Sequence, residues 1–119
     1  MMMSIEGFKS QIACGLQNYV PHGQLEIDEM NPVRFKARYH VEASLFIDIF
    51  YAIRTGKISV AVIQKGERVF GIDNLGGWHC HPFGKPKDHK STAQPLIEEI
   101  IGQCASVIER LREKASKLS

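Results

Sequence analysis

The chain has 119 residues, a formal net charge of +2 and 44% hydrophobic residues. Those values suit one globular domain over residues 1–119 and argue against disorder, a collagen-like chain or a membrane span. Cys14, Cys80 and Cys104 are odd in number and widely spaced, so the expectation is a reducing cytoplasm rather than a disulfide framework. The opening Met1-Met2-Met3-Ser4-Ile5-Glu6 has no basic region leading into an apolar core, so no secretory leader is expected. The net charge is too small to imply nucleic-acid binding, and any such case depends on where the charges sit.

Ser4 is a favourable helix N-cap, and Ile5, Phe8, Ile12, Leu16 and Tyr19 follow at helical spacing. Pro21-His22-Gly23 stops that helix. Leu25 and Ile27 then alternate with acidic residues, and Asn31-Pro32 supplies a turn. Val33, Phe35, Ala37, Tyr39 and Val41 alternate with Arg34, Lys36, Arg38 and His40, the clearest period of two in the chain. Ser44 to Ile53 is apolar on both faces apart from Asp48 and reads as a central strand. Thr55-Gly56 and Lys65-Gly66 are hairpin signals around the strands Lys57 to Gln64 and Glu67 to Asp73. Asn74 to Lys90 has no periodicity, contains Gly76, Gly77, Pro82, Gly84 and Pro86, and reads as one long loop. Leu96, Ile97, Ile100, Ile101, Cys104, Val107, Ile108 and Leu111 form one stripe of a final helix, with Ser91 or Thr92 to cap it. The expected fold is therefore α+β: a five-stranded antiparallel meander with both helices packed on one face. Cys14 and Cys104 fall on helix stripes and are expected in the core.

The chemistry concentrates after Gly71. His79, His81 and His89 place three of the five histidines within eleven residues. Imidazole suits both proton transfer and divalent metals at neutral pH. In an extended segment His79 and His81 point to one side, roughly 6.6 Å apart. Asp73 can accept the second N–H of one ring. The plainer alternative is a solvated Gly- and His-rich loop over a Trp78 plug, with Asp73-Asn74 merely ending a strand. His-x-His-x7-His lacks the paired cysteines of common structural zinc sites. A second candidate is the ladder Arg34, Lys36, Arg38 and His40, whose spacing can follow a nucleic-acid backbone, with Phe50 and Tyr51 nearby for stacking. Its plain alternative is a wet sheet face. In a meander Asp73 lies near the level of Arg34, Arg54 and Lys57 and far from His40. A His/Asp cluster beside such cations suits binding or cleavage of a phosphodiester.

The segment from Lys57 to Leu111 resembles the TumE-like toxins of prokaryotic toxin–antitoxin systems. The residues that carry this are Phe70-Gly71-Ile72-Asp73-Asn74, His79-Cys80-His81, His89 and the terminal helix. The family usually has an aromatic residue at the position of Ile72. The resemblance implies a small cytoplasmic toxin acting on RNA and neutralised by a cognate antitoxin protein.

The expected site is then Asp73, His79, His81 and His89 as a catalytic set, with Arg34, Lys36, Arg38, Arg54 and Lys57 as RNA-binding residues. No cofactor or metal is expected for such a metal-independent ribonuclease, and a homodimer stays open. The alternatives are a non-catalytic RNA- or protein-binding module and a metal-binding protein that uses His79, His81 and His89.

Overall fold

The computed structural model describes residues 3–85 and 87–118; Met1, Met2, Pro86 and Ser119 lie outside them. The fold is α+β, with a helix at each end of the described chain and an open antiparallel sheet between.

The first helix, α1, runs Ile5–Tyr19. The Ser4 hydroxyl accepts the Gly7 N–H at 3.0 Å, as its N-cap position requires. Ile5, Phe8, Ile12, Gly15 and Leu16 form its buried face. Phe8 packs against Phe35 and Tyr51, with ring centroids 5.7 and 4.7 Å away. Past the helix, His22 adopts a positive φ of 78°. The Tyr39 hydroxyl donates to the Val20 carbonyl and accepts the Gly23 N–H, tying this corner to the sheet.

The strands are β1 (Gln24–Met30), β2 (Arg34–Glu42), β3 (Leu45–Ala52), β4 (Lys57–Gln64), β5 (Glu67–Asp73), β6 (His79–His81) and β7 (Lys90–Ser91). They pair in sequence order, each antiparallel to the next. Asn31 makes the first turn by accepting the Val33 and Arg34 N–H groups on its side-chain oxygen. Lys65 and Gly66, with φ of 52° and 80°, make the turn between β4 and β5. Positive φ at both central positions matches the right-handed twist of the flanking strands.

The sheet has seven strands, not the expected five. The region from Asn74 to Lys90 is not one structureless loop. β6 pairs with β5 and is itself paired by β7. These strands span three and two residues, too short to display a period in sequence.

The second helix, α2, runs Ile97–Leu118. Ile97, Ile100, Ile101, Cys104, Val107, Ile108 and Leu111 are buried as expected, but Leu96 is 71% exposed. Leu96 precedes the helix as its cap residue: its carbonyl accepts the Ile100 N–H, and its own N–H donates to Glu99 Oε1 at 2.8 Å. Ser91 lies in β7 and does not cap the helix. Cys14 is exposed rather than in the core, whereas Cys104 is fully buried and its thiol is pushed up to about 12 by that burial.

Both helices join one buried cluster with the inward residues of β2 to β5. Those residues are Phe35, Ala37, Tyr39, Leu45, Ile47, Ile49, Tyr51, Ile58, Val60, Val62, Phe70 and Ile72. Their alternate neighbours form the opposite, open face.

Candidate functional site on the open sheet face

Register places the candidate residues. Lys36 lies opposite Phe50, Phe50 opposite Ser59, Ser59 opposite Asp73, and Asp73 opposite His79. One row across the open face therefore runs from the basic ladder to the histidines. Arg34, Ala52 and Lys57 form the next row. Cys80 pairs with Ile72 and lies toward the helices, partly buried against the core. Trp78 also packs partly buried against the core, as a plug would.

Asp73 is the hub. Its Oδ1 lies 3.1 Å from His79 Nε2 and also accepts the Leu75 N–H at 3.0 Å. Its Oδ2 lies 3.0 Å from His81 Nε2. The next residue serves the scaffold: Asn74 accepts the Ile58 N–H and donates to the Gly56 carbonyl, each at 2.8 Å. The Asp-Asn pair thus divides its work, one side chain to the cleft and one to the turn beside it.

The partners settle ring protons. Arg68 Nη2 lies 3.2 Å from His81 Nδ1. Guanidinium only donates, so Nδ1 accepts and the His81 proton sits on Nε2, facing Asp73. His79 differs, because its Nδ1 faces the Gly77 carbonyl at 3.1 Å and its Nε2 faces Asp73. Its ring thus lies between two acceptors.

His89 completes the cluster. Its ring centroid is 4.4 Å from that of His81 and 5.1 Å from that of His79. His81 is buried at 3% exposure, His79 is half-buried and His89 is exposed. One ligand atom from each of the three rings falls within 4.8 Å of the others, a grouping able to hold a metal ion. The cleft they line measures about 310 Å³ and also takes in Lys57, Ser59, Arg68 and Leu75.

The basic residues divide. Arg38 is held by Asp48 at 2.9 Å and lies 3.7 Å over the Phe46 ring. The hydrogen bond that Arg38 donates to Asp48 raises its guanidinium above its ordinary value. Arg34 is 3.4 Å from Glu29, and His40 is 3.1 Å from Glu26. Lys36, Arg54 and Lys57 have no carboxylate within 4.0 Å among the described residues. Of these only Lys57 lines the histidine cleft.

Arg68 went unmarked in the sequence, for a physical reason. It stands an odd number of residues from Asp73, which in a regular strand puts it on the opposite face. A bulge intervenes: Val62 pairs with Phe70 and Ile63 with Arg68, leaving Val69 between. That extra residue returns Arg68 to the open face. Gly71 was a signal that could have pointed there, since glycine inside a strand often marks a close approach. A Cβ at Gly71 would come within 3.3 Å of Arg68 Cδ and 3.5 Å of His81 Cδ2.

No family model, curated protein or solved structure matches the chain. Among the described residues, no helix is long and apolar enough to cross a membrane.

Proposed function

We propose that the protein is a small ribonuclease-like toxin of a toxin–antitoxin pair. It acts in the cytoplasm, cleaves RNA by acid–base chemistry in the histidine cleft, and is held in check by a cognate antitoxin protein. The observation that carries the reading is the Asp73 hub, with two imidazoles on one carboxylate, a third ring beside them, and Arg68 and Lys57 at the same cleft. The resemblance of the segment from Lys57 to Leu111 to TumE-like toxins supports the biological setting.

The roles follow from how far each ring is open to the cleft. His81 is buried and held between Arg68 and Asp73. His81 is therefore a positioning residue. His89 is exposed, with no hydrogen-bond partner among the described residues. His79 is half-buried and lies between the Gly77 carbonyl and Asp73. In the proposed reaction His89 takes the proton of the ribose 2′-hydroxyl, and the 2′-oxygen attacks phosphorus. The bond from phosphorus to the 5′-oxygen breaks, its electron pair leaves with that oxygen, and His79 supplies the proton. The products are a 2′,3′-cyclic phosphate and a 5′-hydroxyl, with no further reactant needed. Lys57 and Arg68 face the charge that grows on the phosphoryl oxygens.

The test is cleavage of an RNA oligonucleotide, and growth on induction, for the His79→Ala/His89→Ala variant. The expected loss is about 10²- to 10⁴-fold in rate with the circular dichroism spectrum unchanged. Retained cleavage or toxicity in the folded variant overturns the reading.

One observation favours a second reading, a metal centre: the ligand atoms of three imidazoles lie within 4.8 Å. Against it stands the Arg68 guanidinium 3.2 Å from His81 Nδ1, a fixed positive charge beside the three rings. Stoichiometric zinc, cobalt or nickel in the purified protein, lost in His89→Ala, would favour the metal centre.

A further inference from the structure

The open face carries a second hollow beside the histidine cleft. It measures about 480 Å³. Phe50, Val33 and Ala52 form its apolar floor, and Arg34, Arg54 and Lys57 stand on its rim. Among the described residues, no carboxylate lines it. Lys57 belongs to both hollows. Two strand spacings separate Phe50 from Asp73, with Ser59 between them. That distance is about 10 Å, a nucleotide's reach.

The Arg34 guanidinium carbon and Lys57 Nζ lie over the Phe50 ring at 5.3 and 5.4 Å from its centroid, farther out than the 3.7 Å of Arg38 over Phe46. An occupant must therefore offer an apolar, flat surface to the floor and negative charge to the rim, where Arg54 and Lys57 have no carboxylate within 4.0 Å among the described residues and Arg34 lies 3.4 Å from Glu29. A base of a single-stranded nucleic acid with its flanking phosphates offers both. A duplex does not, because its base faces are stacked inside.

We propose that this hollow is a nucleobase subsite. It stacks one base of single-stranded RNA on Phe50, sets the flanking phosphates on Arg34, Arg54 and Lys57, and thereby lays the neighbouring phosphodiester in the histidine cleft. The proposal rests on the reading of that cleft as the place of cleavage, and it names the substrate as unpaired RNA.

A fluorescence-anisotropy titration with a labelled 2′-O-methyl oligonucleotide tests it, because that probe binds without being cleaved. The same strand in a duplex, adenosine 5′-monophosphate and ribose 5-phosphate serve as competitors. Phe50→Ala is expected to weaken single-strand binding about 5- to 150-fold, the equivalent of one stacked base. Phe50→Trp, which keeps an aromatic face, is expected to retain the affinity. Arg54→Gln is expected to lower the salt slope by about 0.7, the share of one phosphate contact on a single strand. The nucleotide should compete better than ribose 5-phosphate, and the duplex poorly. Phe50 dependence in the His79→Ala/His89→Ala background supports the subsite even if cleavage is never seen. Equal competition by ribose 5-phosphate, equal binding of duplex, or an unchanged Phe50→Ala affinity overturns it. So does displacement by an acidic peptide where nucleotides fail, which would make the hollow a protein-docking site.

Discussion

Replacing Asp73 by Asn tests the hydrogen-bond logic of the cleft at near-constant shape. The carboxylate accepts the Leu75 N–H on one oxygen, which also lies 3.1 Å from His79 Nε2, and the His81 N–H on the other. An amide keeps one acceptor and turns the other atom into a donor. If its oxygen faces Leu75, its NH₂ meets the His81 Nε2–H. His81 cannot change tautomer to relieve this, because Arg68 donates to its other nitrogen. If the amide flips, its NH₂ meets the Leu75 N–H instead. Either orientation opposes two donors.

The side chains are well shielded, with exposures of 14% for Asp73, 16% for His79 and 4% for His81. Solvent therefore relieves little of the conflict. A lost hydrogen bond to a charged group costs about 1.5–3 kcal/mol, and that is the expected destabilisation of Asp73→Asn. Asp73→Ala, which removes both hydrogen bonds and the His79 ion pair, should cost more. Equilibrium urea unfolding measures both, and ¹⁵N spectra of the imidazoles show whether His81 keeps its proton on Nε2. An Asn variant within about 0.5 kcal/mol of the parent, a difference typical of an unremarkable surface change, with unchanged imidazole signals, refutes the hub.

Ile100 is fully buried, so Ile100→Ala should cost about 2–5 kcal/mol in chemical denaturation. At Gly15 an added Cβ would stand 3.2 Å from both Cβ and Cγ1 of Ile101. The helix-propensity gain of about 1 kcal/mol is outweighed by overpacking of about 1–3 kcal/mol, because Ile101 Cβ is fixed to its helix. Gly15→Ala should therefore lower the melting temperature; a rise would show that the helices part freely. Cys104 keeps its proton up to about 12 when folded, against an ordinary value of 9.0. The folded state then binds the proton more tightly, so stability falls as pH rises between those values. Cys104→Ala should flatten that fall in urea titrations across the range, and an unchanged slope would refute the assignment.

The legible part of the fold was its long-period part. β2 and α2 show their periods over enough residues to fix which side chains face inward. The hairpin residues Thr55-Gly56 and Lys65-Gly66 fix the order of the strands between them. His79 and His81 were legible as a pair because any extended segment puts alternate residues on one side. What failed was short or irregular. β6 and β7 owe their pairing to β5, not to any pattern of their own. Leu96 matches the α2 stripe by spacing, yet the helix starts one residue later. Cys14 sits beside the buried Gly15 and shows how one step around a helix changes burial.

The irregularities of β5 bear on the site rather than on packing. Gly71 has an ordinary negative-φ backbone, so no turn requires it there. Glycine in a strand gives up side-chain contacts and carries an entropic cost of roughly 0.5–1 kcal/mol relative to alanine. The bulge at Val69 interrupts the pairing of β4 with β5. Packing alone accounts for neither. Together they give one result: Arg68 crosses to the open face, and Gly71 leaves the space in which Arg68 and His81 meet. That contact fixes the His81 proton toward Asp73, which leaves the other oxygen of Asp73 for His79. A regular strand with alanine at this position would aim Arg68 into the helix layer and separate the guanidinium from the ring. The local departures from an ideal strand thus converge on a single hydrogen-bond chain, Arg68 to His81 to Asp73, with His79 3.1 Å from the same carboxylate, and that convergence is the structural argument for treating the cleft as a working site.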